Sequence, residues 1–158
     1  MSLWIDALRW IHVIGATVLL GTGAGIAFFM VMAMRDARPL VVAHVAATVV
    51  VADFVFTAAA VVVQPVTGLL LARAVGWPLD EGWLLASLGL YVFVGACWLP
   101  VVGIQIRVRD MARQAVLGGR PRLPLRVMEL YRVWFALGFP AFAGVLGILW
   151  LMLTTPDF

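Results

Sequence analysis

Two side chains stand out chemically from their surroundings. Asp53 interrupts an apolar run from Leu40 to Ala72, and His12 lies inside another from Trp10 to Met34. A carboxylate within a membrane-length run is costly, so it marks a functional-site candidate. An imidazole in a greasy helical bundle is the best available ligand for haem iron. His12 is therefore the candidate metal ligand, for haem b. Arg9 lies about one turn before it and would pair with a haem propionate. Tyr91 and Trp98 would line the macrocycle, and Asp53 and Gln64 would hydrogen-bond on the distal side or relay protons. The competing reading makes His12 and Asp53 a hydrogen-bonded structural pair.

Other candidates carry less. His44 falls roughly 180° around the helix from Asp53 and near a membrane interface, at a different depth from His12. Met30 and Met34 share a helical face and suit Cu(I), but no second cluster completes a copper site. Cys97 is the single cysteine, so the chain has no internal disulfide. No phosphate-binding glycine loop, HExxH or nucleophile motif is present.

Helical periodicity groups these residues. At about 100° per residue, Thr57, Gln64 and Thr67 lie within about 40° of Asp53. Ser87, Tyr91, Trp98 and Gln105 share a second face, and Arg9, His12, Gly15 and Gly23 a third. Polar groups avoid lipid, so the three stripes should converge inside a bundle, where the small and hydroxyl-bearing residues serve as packing contacts. Gly21 and Gly25 form a GxxxG, a signal for close helix approach. The level of α-helical residues opposite His12 is ambiguous between Asp53 and Gln64.

Composition dictates the helices that carry these residues. The 158 residues are 65% hydrophobic and 12% charged, with a mean hydropathy of +1.09. A small soluble domain could not bury so much apolar surface. That excludes a water-soluble enzyme, a disordered chain and a nucleic-acid module. Four apolar runs, Trp10 to Met34, Leu40 to Ala72, Trp83 to Ile106 and Val133 to Leu153, are each of bilayer-spanning length. They imply spans of about 8–34, 40–73, 83–107 and 128–153. The first is read as a span and not a signal peptide, because its flank carries Asp6 and Arg9 instead of a basic cluster. The second is longer than the hydrocarbon core, so it tilts or protrudes, with a kink expected at Pro65. Short connections make an all-α, up-down four-helix membrane bundle in one domain covering 1–158.

Charge then gives orientation. From Arg107 to Arg132 there are seven arginines against two acids, and the first loop is also net positive. The positive-inside rule places these two loops in the cytoplasm and both termini in the periplasm. Trp4, Trp77, Trp83 and Trp150 then fall near the outer interface, as indoles tend to.

Several segments resemble an uncharacterised family of small bacterial integral membrane proteins, domain of unknown function 2269. They include Trp10–Gly23, Ala52–Thr57, Val63–Gly68, Trp83–Leu88, Cys97–Val102, Gln105–Arg107 and Trp134–Pro140. More distantly, Trp10-Ile11-His12 is similar to the start of the haem-associated protoporphyrinogen oxidases and of copper-resistance membrane proteins. The first likeness implies haem b at His12. Those oxidases also use a lysine in a later helix, and this chain has no lysine.

The combined expectation is a multi-pass protein of the bacterial inner membrane that binds haem b in the outer half of its bundle, in a redox role. The alternative is a cofactor-free scaffold, assembly factor or transporter subunit. Membrane lipids, and a homo-oligomer or a membrane redox partner, are the expected partners, with no nucleic acid.

Overall fold

The computed structural model describes residues 3–156. The chain forms four long helices: α1, Leu3–Asp36; α2, Pro39–Val75; α3, Gly82–Leu117; and α4, Leu125–Thr154. Each is long and apolar enough to cross a membrane, and the described residues form no strand. The expected all-α, four-helix membrane architecture is what the chain adopts. α3 continues past the apolar run that ends at Ile106. Its extension carries Arg107, Arg109 and Arg113 outward while Val108, Ala112 and Ala115 stay buried. That i, i+4, i+7 stripe keeps the helix packed after the apolar segment ends.

Tight links turn the chain between helices. Ala37 takes a left-handed conformation (φ 57°), Arg38 pairs with Asp36 at 2.7 Å, and Pro39 opens α2 with a preset backbone angle. α2 ends at Gly76 (φ 85°), where the Trp77 amide donates to the Ala72 carbonyl at 2.9 Å and the Gly76 amide to Arg73 at 3.2 Å. This pair of bonds needs a left-handed residue, which glycine adopts without steric cost.

Packing divides the bundle into a dense end and a hollow end. The main core lies toward the arginine-rich loops. There Met30, Ala33, Val42, Ala46, Val108, Ala112, Val127 and Trp134 pack from all four helices. Its alanines let backbones approach closely. Toward the termini only Ala72, Trp83 and Leu84 form a small buried cluster. Here α1 pairs with the second half of α2, and α3 pairs with α4. The second half of α2 hardly packs on α3 or α4, and α1 scarcely touches α4.

Glycines at the α3–α4 seam explain that pair. A Cβ on Gly144 would sit 2.5 Å from Val94 Cγ2, and one on Gly147 would sit 3.1 Å from Leu90 Cδ1. Gly21 and Gly25, read from sequence as a close-approach motif, have nothing within 4 Å of an added Cβ. Gly144→Ala should therefore destabilise the protein by about 1–3 kcal/mol. Gly21→Ala should change it by under about 0.5 kcal/mol. Thermal melting of the two variants in one detergent checks the contrast, and equal effects would count against this seam.

Candidate functional site

Asp53 opens a single π-helical turn, Asp53–Thr57, within α2. The Ala58 amide bonds back to the Asp53 carbonyl, five residues earlier. Such a turn acts as a one-residue insertion, rotating the remainder of the helix by roughly a quarter turn. The polar stripe expected along α2 is thereby split. Asp53 bonds to Trp98 of α3, while Gln64 and Thr67 meet His12 of α1. α2 runs on through Pro65 as α-helix, but Pro65 has no N–H to give the Val61 carbonyl, and the Tyr91 hydroxyl bonds that carbonyl instead; a second irregularity, the π turn, comes earlier.

The α3-facing half meets a cavity of about 450 Å³. Trp98 donates from Nε1 to Asp53 Oδ1 at 3.3 Å. Asp53 is 3% exposed, and beside it Gln105 is 0% exposed. Asp53 Oδ2, Thr57 Oγ1, both polar atoms of the Gln105 amide and Trp134 Nε1 have no hydrogen-bond partner among the described residues. All of these side chains line the same cavity, whose other walls are mostly apolar, with Gln64 and Tyr91 the exceptions.

The α1-facing half meets a second cavity of about 580 Å³. His12 Nδ1 lies 2.9 Å from Thr67 Oγ1. The Thr67 hydroxyl lies 2.7 Å from the Val63 carbonyl, the i−4 back-bond that takes its hydrogen. Gln64 donates from Nε2 to the His12 carbonyl at 2.7 Å. Two glycines make room for this contact. A Cβ on Gly15 would collide with Gln64 Nε2 at 2.3 Å, and one on Gly68 would press on His12 Cε1 at 3.1 Å. Tyr91 donates to the Val61 carbonyl at 2.6 Å and ties α3 to α2.

The six residues singled out from sequence thus fall into two groups. His12 and Gln64 are in contact, with Tyr91 and Arg9 lining the same cavity. Arg9 is half-exposed and sits 3.8 Å from Asp6. Asp53 and Trp98 bond to each other in the other cavity, which Gln64 and Tyr91 also line. His12 and Asp53 do not form a pair. Gln64 lies eleven residues beyond Asp53, about 16 Å along the helix. His12 is level with Gln64 and Thr67, which resolves the depth ambiguity. His44 is exposed, and Met30 and Met34 are buried in the apolar core. Cys97 is buried and free.

Four residues outside that selection take part. Thr67 orients His12, while Thr57, Gln105 and Trp134 add partnerless polar atoms to the first cavity. The α3 periodicity had already put Gln105 in line with Trp98. Trp134 has no such signal, because an indole in an apolar run reads as packing. No three His, Cys, Asp or Glu side chains gather into a metal cluster among the described residues.

A family model described as "Predicted integral membrane protein (DUF2269)" matches residues 6–156. The chain belongs to this family. No curated protein and no solved structure matches it, so neither comparison returns a haem or copper protein.

In this DUF2269 protein the His12–Gln64 contact can be tested through Gly15. Gly15→Ala forces the Gln64 amide off the His12 carbonyl and should cost about 1–2 kcal/mol. In a Gln64→Ala background the same change should cost under about 0.5 kcal/mol. A double-mutant cycle by thermal melting in detergent decides it. Equal costs in the two backgrounds would mean that the glycine protects something else.

Proposed function

We propose that this membrane protein holds b-type haem in the cleft beside His12 and serves a redox role. The observation that supports this is the contact between His12 Nδ1 and the Thr67 hydroxyl. That hydroxyl also reaches the Val63 and Gln64 carbonyls; with its hydrogen given to either, its oxygen would accept from His12 Nδ1–H. A neutral ring held in this way keeps its lone pair on Nε2, the arrangement found in metal-binding histidines.

The surroundings fit the group. The cleft of about 580 Å³ falls within the ~300–1,000 Å³ usual for cofactor-sized sites. Its lining is largely apolar, with Arg9 available for carboxylates and Gln64 and Tyr91 as hydrogen-bonding groups. Met152 lines the same cleft, and a thioether is a known second ligand to haem iron. Asp53 and Trp98, which sequence reasoning set around the same macrocycle, fall outside this reading. Bound haem would supply one-electron chemistry. The chain's part is the imidazole, a largely apolar cleft and a cation lining it.

Orientation belongs to the same proposal. By the positive-inside rule the arginine-rich loops face the cytoplasm of a bacterial inner membrane, which puts the His12 cleft in the outer half. A membrane redox partner would then exchange electrons at the outer face.

Expression with haem supplied, purification in mild detergent and a reduced-minus-oxidised spectrum test the reading. The wild type should show a Soret band that pyridine assigns to haem b. His12→Ala should lose it with helical circular dichroism intact, and Asp53→Asn should keep it. A colourless wild type, or a band untouched by His12→Ala, would sink the proposal and leave the cofactor-free scaffold.

A further inference from the structure

The first cavity, with its polar floor, plays no part in the haem reading. We infer that it binds the ring of a membrane-soluble quinone or quinol. This is independent of whether haem sits at His12. Asp53, Thr57, Gln105 and Trp134 are each more than nine-tenths buried; Thr57 and Gln105 lie against the Asp53 carboxyl, yet each of the four carries a polar atom without a well-formed hydrogen bond among the described residues. A group of such atoms around one space is expensive unless something bonds to them.

Their types narrow the ligand. Trp134 Nε1 and Gln105 Nε2 are donors, Asp53 Oδ2 and Gln105 Oε1 are acceptors, and the Thr57 hydroxyl is both. A bare cation would waste the donors, and an anion would meet Asp53. A ring bearing keto or hydroxyl oxygens suits both kinds: a keto oxygen accepts from Gln105 and Trp134, and a hydroxyl donates to Asp53. The walls suit a flat ring, with Tyr91, Trp98, Phe135, Phe139 and Phe142 lining the cavity. The room suits it as well, since Gly23, Gly95 and Gly138 also line it and an added Cβ at each meets open space. An isoprenoid tail has a way out. α1 scarcely touches α4, and the cavity-lining Phe139 and Phe142 of α4 are exposed. A phospholipid headgroup is a poorer fit, because no arginine lines this cavity.

The test uses the full chain in phosphatidylcholine nanodiscs, titrated with decylubiquinone. Tryptophan fluorescence reports binding, since Trp98 and Trp134 line the cavity and quinones quench indoles. Quenching should saturate, and melting temperature should rise with the probe. Gln105→Leu should weaken binding about tenfold. Gly95→Leu, which fills the cavity from its wall, should abolish the saturable part and covers the case in which Gln105→Leu fails to fold. His12→Ala should leave the affinity unchanged, which separates this site from the haem cleft. Quenching that rises without saturating, as simple partition into lipid would give, overturns the proposal. So does saturable quenching that survives both Gln105→Leu and Gly95→Leu.

Discussion

A polar side chain carried into hydrocarbon finds no water, so the phase of its own helix decides which neighbour can satisfy it. α2 bears four such groups that would share one face in a regular helix. The π turn at Asp53–Thr57 breaks that phase. Asp53 is delivered to Trp98 of α3, Gln64 and Thr67 to His12 of α1. The bundle's polar chemistry rests on this division. Trp98 reaches Asp53 on one side, and His12 reaches Thr67 on the other. Without the turn, all four α2 groups would compete for a single partner helix. Mid-helix π turns of this kind recur at functional sites, and here the reason is visible in the hydrogen bonds.

The second organising feature is the contrast between the two ends. Near the arginine-rich loops, alanines bring four backbones close, and the core is continuous. Toward the termini the helices separate into two pairs, with the His12 cleft between them, and the Asp53 cavity reaches from there to Ile26, Val101 and Trp134 of the dense core. The dense end can act as a clamp that holds the pairs at a set spacing. The hollow end can then keep buried polar groups facing open space without collapse. Tyr91, bonded to the Val61 carbonyl, is a strut across the gap.

The architecture was legible in the sequence, because bilayer-length apolar runs and short connections leave few other folds. The inward stripes were legible too: Ser87, Tyr91, Trp98 and Gln105 all turn to the interior of α3 as periodicity implies. What spacing could not give is the phase break in α2, since a π turn leaves no mark in a sequence of Val, Ala and Phe. Asp53 and His12, expected in one chamber, lie in two, because His12 is level with Gln64, about 16 Å along the helix from Asp53. Register was equally hidden. The length of α2 allowed either Asp53 or Gln64 beside His12, and only the fit of Gly15 and Gly68 against Gln64 and the imidazole resolves it.

The loose contact between α1 and α4 has a consequence for how any guest arrives. A doorway facing the acyl chains admits molecules already dissolved in the bilayer, so they need not cross water. Occupancy is then governed by mole fraction in the membrane rather than aqueous concentration. Solubility does the first sorting, before any hydrogen bond is made. Such a site can hold a weakly bound guest at high occupancy, and swelling or thinning of the surrounding leaflet would change its traffic without touching a residue of the protein.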